Sequence, residues 1–398
     1  MGSDWTQLPS ELLESISKKL NIYADYLRFQ AVCRSWQSAA PKIPHHLPLQ
    51  PPWLMLPPTS QQTYRAVFDL STHELHCLSL PEDCTKPSMR PRGSSQGWLF
   101  ILDLSPNIFL LNPLTRSKLD LPPLYSFPNV RSFDSHYIDG EYMLRSSSPQ
   151  GFSYRRSSPY MRDCYIKKVV LSSSPSKDPN FVATAIVNFP GQLVYWRSGD
   201  DSWSVTEVPN SFSEDVIYFH GSFYAVNNFG DLAVCDLSGA SPQVSFIRTP
   251  RTSPFRCEIL YLAGSDDGLF LLARHHGTEW LGGNDGRRRT FKFDVFRLNW
   301  SGPVWEEVTS LEGKTLFVGG NSSFSLRASD FPGCKYKENC IYYTEEYSES
   351  NCDYGTYVDR GGDIGVYNVV NGNIEPLPTF FFQTLQWPPP IWVTPNPW

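Results

Sequence analysis

Between residues 8 and 20 the apolar side chains fall at Leu8, Leu12, Leu13, Ile16 and Leu20, the three- and four-residue steps of one helix face. Pro9 suits the first turn, where its missing N–H would have no partner. Glu11 and Glu14 sit toward the positive end of the helix dipole, and Lys18 and Lys19 toward the negative end. A second helical stretch follows, with Asp25 as its N-cap and Phe29, Val32, Cys33, Trp36 and Ala40 at similar steps, stopped by Pro41 and Pro44. Two or three short helices in about 40 residues have too little interior to hide all of these side chains. A face left over for a partner is the expectation.

Beyond residue 60 the pattern changes to short apolar runs separated by Gly, Asp, Asn, Ser and Pro, which is the grammar of strands. One hairpin-like unit recurs six times: residues 67–81, 109–122, 193–209, 232–247, 295–308 and 365–378. Between the units lie further strand candidates: Trp98 to Leu102, Val216 to Val226, Ile259 to Leu262, Leu269 to Leu272, Thr315 to Val318 and Cys340 to Thr344. Together they give roughly four strands per repeat, at a spacing closer to the kelch-like period of about 50 residues than to the WD period of about 40 to 45. A small all-α unit followed by a large all-β domain is predicted, the latter a β-propeller of six blades. Seven is the alternative, because the longest gap separates the second and third units. Closing such a ring removes the exposed sheet edges that would recruit other strands.

Seven prolines between residues 41 and 58 predict a stiff spacer, extended at about 3.1 Å per residue. Trp53-Leu54-Met55-Leu56 within it reads as a candidate first strand. The domain reading is 1–44 for the helical unit, 45–60 for the spacer and 61–398 for the propeller.

Composition fits a turn-rich, aromatic-packed globular chain: 34 Pro, 26 Gly and 14% aromatic residues among 398. A net charge of -6 argues against nucleic acid as a partner, since a phosphate backbone would repel the chain. No run of about 18 apolar residues is present, and Met1 to Asn21 lacks a secretory apolar core, so a soluble protein of the cytoplasm and/or nucleus is expected, without a membrane partner. Nine cysteines at scattered spacings point to a reducing compartment. Cys334, Cys340 and Cys352 lack the close pairs of a structural zinc site, so no metal or other cofactor is expected.

Leu8-Pro9, Glu11-Leu12-Leu13, Ile16, Leu20, Asp25, Arg28, Val32-Cys33-Arg34 and Trp36 together resemble the F-box signature nearly position for position, over residues 4 to about 44. The tail Trp387-Pro388-Pro389-Pro390-Ile391-Trp392-Val393-Thr394-Pro395 adds a likeness to plant F-box proteins with a kelch-like C-terminal propeller, the Skp-interacting F-box type. The resemblance implies docking onto a Skp-type adaptor, and through it a cullin, by Leu8, Pro9, Leu12, Leu13, Ile16, Val32, Cys33 and Trp36. It implies a substrate-recognition subunit of an SCF-type ubiquitin ligase, whose propeller holds a protein target. The competing class is a propeller enzyme or metabolite binder whose F-box only regulates its own turnover.

No Gly-x-Ser-x-Gly elbow, phosphate-cradling loop or His-Glu-x-x-His helix occurs, so no catalytic residues are assigned. The acidic pairs Asp200-Asp201, Asp266-Asp267, Glu306-Glu307 and Glu345-Glu346 read as turn residues rather than glycosidase carboxylates. His45-His46 and His275-His276 read as surface or packing residues. Two arginine-rich stretches read as loops: Arg145 to Arg162, and 282–289 with Arg287, Arg288 and Arg289. Those three arginines are the candidates for substrate contact through an acidic partner; a solvated loop or a nuclear-targeting run is the plainer reading.

Overall fold

The structure, a computed structural model, describes residues 5–57, 65–86, 88–146, 151–187, 191–209, 211–250, 259–280, 286–320, 322–331, 336–345, 363–377 and 389–398. Its N-terminal unit holds three helices: α1 (Ser10–Ser17), α2 (Tyr23–Gln30) and α3 (Arg34–Ala39). Pro9 is the residue just ahead of α1, and its carbonyl accepts from the N–H groups of Leu12 and Leu13 at 3.1 Å. The expected cap at Asp25 is corrected. Ile22 occupies that place, because Tyr23 and Tyr26 turn inward and draw the helix start three residues earlier. Asp25 instead pairs with Arg28 at 2.8 Å within the helix. The stretch read as continuous from 25 to 40 is two helices, broken at residues 31–33.

From Trp53 onward the described residues build seven sheets, all pairings among them but one antiparallel. The six recurring units are outer hairpins of six of them. They are Arg65–Asp69 with Glu74–Leu78, Ile108–Leu111 with Lys118–Leu121, Gln192–Arg197 with Ser204–Val205, Leu232–Asp236 with Gln243–Ile247, Gly286–Asn299 with Val304–Glu307, and Gly365–Asn368 with Ile374–Pro376. Each of these sheets contributes one inner strand to a common axis: Arg90–Ser95, Ile166–Leu171, Asp215–Phe219, Ile259–Ser265, Ser322–Arg327 and Ile391–Val393. Neighbouring inner strands run the same way. Arg92 donates to Ile166 O near the start of two of them, and Leu171 N donates to Ser95 Oγ near their ends.

The first sheet joins sequence from both ends of the β region: Trp53–Met55 pairs with Ile391–Val393 on one side and Val67–Asp69 on the other. Trp392 seals this seam. It is fully buried, its indole N–H donates to Val318 O at 3.0 Å, and its ring meets Phe317 edge-on at 5.2 Å. Gly97 has φ +83°, and an added Cβ there would press into Asn396 of the returning tail, so the turn must be glycine.

The long gap between the second and third units holds an inserted three-stranded sheet, Val130–Phe133, Tyr142–Arg145 and Ser153–Arg156, followed by α4 (Ser158–Asp163). None of its residues lines the axial cavity.

The boundary of a spacer at 45–60 and a propeller from 61 is corrected by the same pairings. Trp53–Met55 already lies in a sheet, and residues 46–50 pack on the helices. His46 Nε2 lies 3.1 Å from Ser17 O, Gln50 donates to Asn21 O at 2.9 Å, and Leu47 joins the helical core. Residues 58–60 of that span lie outside the described residues. Proline here shapes a packed connection between two bodies.

Candidate adaptor-docking face

The helical unit has a core of Leu13, Tyr26, Phe29 and Ala40, with Leu8, Leu20 and Trp36 against it. Tyr26 donates its hydroxyl to Pro41 O at 2.8 Å, and Trp36 donates to Trp5 O at 3.1 Å while its ring tilts on Phe29 at 4.6 Å. Trp398 completes the core from the other end of the chain, edge-on to Tyr23 at 5.1 Å and Tyr26 at 6.3 Å.

The eight residues assigned to adaptor docking divide by this packing. Leu12, Ile16 and Val32 are 51%, 39% and 53% exposed, and Pro9 is exposed as well. Leu12 and Ile16 are four residues apart and so share one face of α1. Leu8, Cys33 and Trp36 are half-buried, and Cys33 Sγ lies 3.0 Å from Ser35 Oγ. Leu13 is corrected: at 1% exposure it is the centre of the bundle, because successive helix positions point about 100° apart and only one of two adjacent leucines can face out. Trp5, Ile22 and Ile43 are further exposed apolar side chains. They lie outside the helical periodicity, so the sequence pattern did not single them out.

An axial cavity of about 650 Å³ opens beneath the helices. Tyr23, Leu49 and Gln50 form part of its wall, with Gln96, His220, Asp266 and Asn396 from the ring. Lys168 and Asp215 are buried at its side, 2.5 Å apart. Ser323 donates to Asp215 at 3.2 Å and accepts from Lys168 at 2.9 Å, and Leu262 N donates to Asp215 at 2.8 Å. This carboxylate is consumed in tying four inner strands together.

The arginines of both stretches lie on strands or a helix, while residues 146, 151, 152 and 157 between them belong to neither. Arg287–Arg289 lie on the strand Gly286–Asn299, in register with Glu279, Thr278 and Gly277 of a long hairpin. The hydrophobic pattern missed this because the strand continues past the end of its sheet. Residues 142–145 and 153–156 are strands, and Arg162 in α4 is buried against Asp163 at 2.6 Å. Residues 147–150 and 282–285 lie outside the described residues.

At the base of the long hairpin, fully buried Arg274 donates to Asp363 at 2.9 Å, to Thr290 at 2.7 Å and to Tyr261 at 2.9 Å. Burial alone would raise the Asp363 carboxyl. His276, Arg274 and Thr290 outweigh it and hold the group well below the usual carboxylate range. His276 thus approaches Asp363 at 3.4 Å, and His275 lies 2.8 Å from Asp294. Among the acidic pairs, Asp267 is bound by Lys314 at 2.6 Å and Glu306 by Asn299 at 2.7 Å; Glu346 lies outside the described residues. Among the described residues no three His, Cys, Asp or Glu side chains converge as metal ligands. Cys334 and Cys352 lie outside those residues. Cys33, Cys77, Cys84, Cys235 and Cys340 form no disulfide, but Cys164 is disulfide-bonded, which departs from the fully reduced set the spacing pointed to.

Comparison with known proteins agrees with both halves. An F-box-like family model matches residues 5–45, and the KIB1-4 beta-propeller model matches residues 67–368. The chain is 30% identical to F-box protein SKIP23 of Arabidopsis thaliana, over 98% of this chain and 96% of that one. It is 28% identical to F-box protein At2g17036 of the same plant, over 98% and 95%. With an F-box unit ahead of a ring of sheets, and both recognised independently, the chain belongs to the KIB1-4 beta-propeller family of F-box proteins.

Proposed function

We propose that this chain is the substrate-recognition subunit of an SCF-type cullin ubiquitin ligase, acting in the cytoplasm, the nucleus or both. The F-box docks a Skp-type adaptor, the adaptor links it to a cullin, and the propeller holds the protein to be modified. The observation that carries the reading is the outward face of α1. Leu12 and Ile16, and likewise Val32 after α2, stand in solvent although the bundle has a core without them. Burying a side chain of this size gains about 1.5–3 kcal/mol, so three of them suit a stable protein contact.

The chain's own part is positional. Holding a target lysine near a ubiquitin-charged enzyme turns an intermolecular attack into an effectively intramolecular one. A packed joint serves this better than a loose one, and Trp398, Leu47 and Gln50 supply that joint. The test is reconstitution: the chain should co-purify with adaptor and cullin and support ubiquitin transfer onto a bound partner. Loss of both on deleting residues 1–44 is expected; transfer that persists without them would overturn the reading.

A further inference from the structure

The run of the strands shows which end of the propeller faces away from the F-box. Tyr23 and Leu49 meet the axial cavity beside Gln96, His220 and Asp266, which follow the C-terminal ends of inner strands. The short helix α4 sits where inner strands begin. Arg162 donates to Ser88 O at 3.2 Å, and Arg90 lies 3.7 Å from Asp163. The inserted sheet runs directly into α4, so it stands at the end opposite the F-box.

This sheet has two unlike faces. On one, Tyr142 and Leu144 are fully buried, with Phe133 and Tyr154 packed against that core. The other is open and carries Arg131, Arg145 and Arg155, one from each strand, around Met143. Among the described residues neither Arg131 nor Arg145 is in an ion pair. Arg155 is held in place, its guanidinium 3.7 Å from the Tyr137 ring and donating to Gly140 O at 2.7 Å. Ile138, next to that ring, is 80% exposed. The three strands contain no Asp or Glu, in a chain whose net charge is -6.

We propose that this open face is a docking surface for the target protein, and that its occupant is an acidic segment bearing an aromatic or aliphatic side chain. Carboxylates would pair with Arg131, Arg145 and Arg155, and the apolar side chain would rest on Met143, Tyr137 and Ile138. The word target rests on the ligase reading above; the surface adds where the target sits, at the end away from the adaptor.

The probe is a fluorescent synthetic peptide alternating glutamate and phenylalanine, titrated onto the full chain with and without the Skp-type adaptor. Saturable binding is expected. It should weaken roughly tenfold or more in the variant Arg131→Glu, Arg145→Glu, Arg155→Glu, and for a peptide with glutamine in place of glutamate. A second variant, Ile138→Asp with Arg145→Glu, spares the packed face and should show the same loss with unchanged thermal unfolding. No binding by the native chain, equal binding by the second variant, or photo-cross-links falling outside residues 130–156 would overturn the surface. So would binding only when phosphoserine replaces glutamate. A chain that binds peptide but no adaptor would sink the ligase reading and leave the surface standing; one that binds adaptor but no peptide would do the reverse.

Discussion

The helical unit and the ring solve the same problem in opposite ways. In the ring, every inner strand has a neighbour, apolar clusters fill the spaces between sheets, and the seam is closed by Trp53–Met55 against Ile391–Val393. In the helical unit, a four-residue core is finished with help from Leu47 and Trp398, yet Leu12, Ile16 and Val32 stay outside it. The ring is complete as one chain; the bundle is complete only toward the ring. The contrast teaches that an exposed apolar side chain carries information when the core behind it is already satisfied.

That contrast can be broken most severely in the ring. Arg274→Ala should cost about 3–5 kcal/mol, because it leaves the Asp363 carboxylate buried without its cation. Denaturant midpoints measure it. Trp392→Ala should cost about as much, roughly 3–5 kcal/mol, by opening a cavity at the seam, and a calorimetric scan should show the whole ring melting earlier. Next comes a paired comparison in α1. Leu13→Ala should lower the stability of the helical unit by about 2–5 kcal/mol, whereas Leu12→Ala should change stability by less than about 0.5 kcal/mol and weaken adaptor binding instead. Equal effects of the two would erase the distinction between inward and outward faces.

A pH series sharpens the same contrast from the ring side. The Asp363 carboxyl is depressed in the fold, so its contribution is fully present above the unfolded value of about 3.9 and is lost as pH falls below it. Stability attributable to this group should be flat from neutral to about pH 4 and decline in acid, and Arg274→Ala should blunt the decline. The smallest expected effect is at the joint. Trp398→Ala should leave the melting of the ring unchanged and speed amide exchange in α2, because Tyr23 and Tyr26 lose their edge-on partner.

Much of this architecture was legible in the residues, for identifiable reasons. The outer hairpins showed themselves because their strands pair one buried face with polar turns, as in Leu232–Asp236 and Gln243–Ile247. Inner strands such as Arg90–Ser95 and Ser322–Arg327 did not, since the side chains they turn to the cavity include Ser94, Ser95, Ser323 and Ser325 in place of Val and Ile. The inserted sheet was hidden likewise, its open face written in Arg and Ser. The F-box signature located the docking unit but could not tell Leu12 from Leu13. That assignment needs to know where Tyr26 and Phe29 lie, which only packing decides. The spacer misled because proline density marks restricted backbone without saying whether that backbone packs.

Calorimetric titration of the full chain with a purified Skp-type adaptor tests the central claim most directly, comparing the native chain with the double variant Leu12→Asp, Ile16→Asp. The account predicts saturable binding by the native chain with a negative heat-capacity change from apolar burial. It predicts no detectable heat of binding for the variant, whose unfolding profile stays native. Binding of equal strength by both proteins, or by neither, would contradict it.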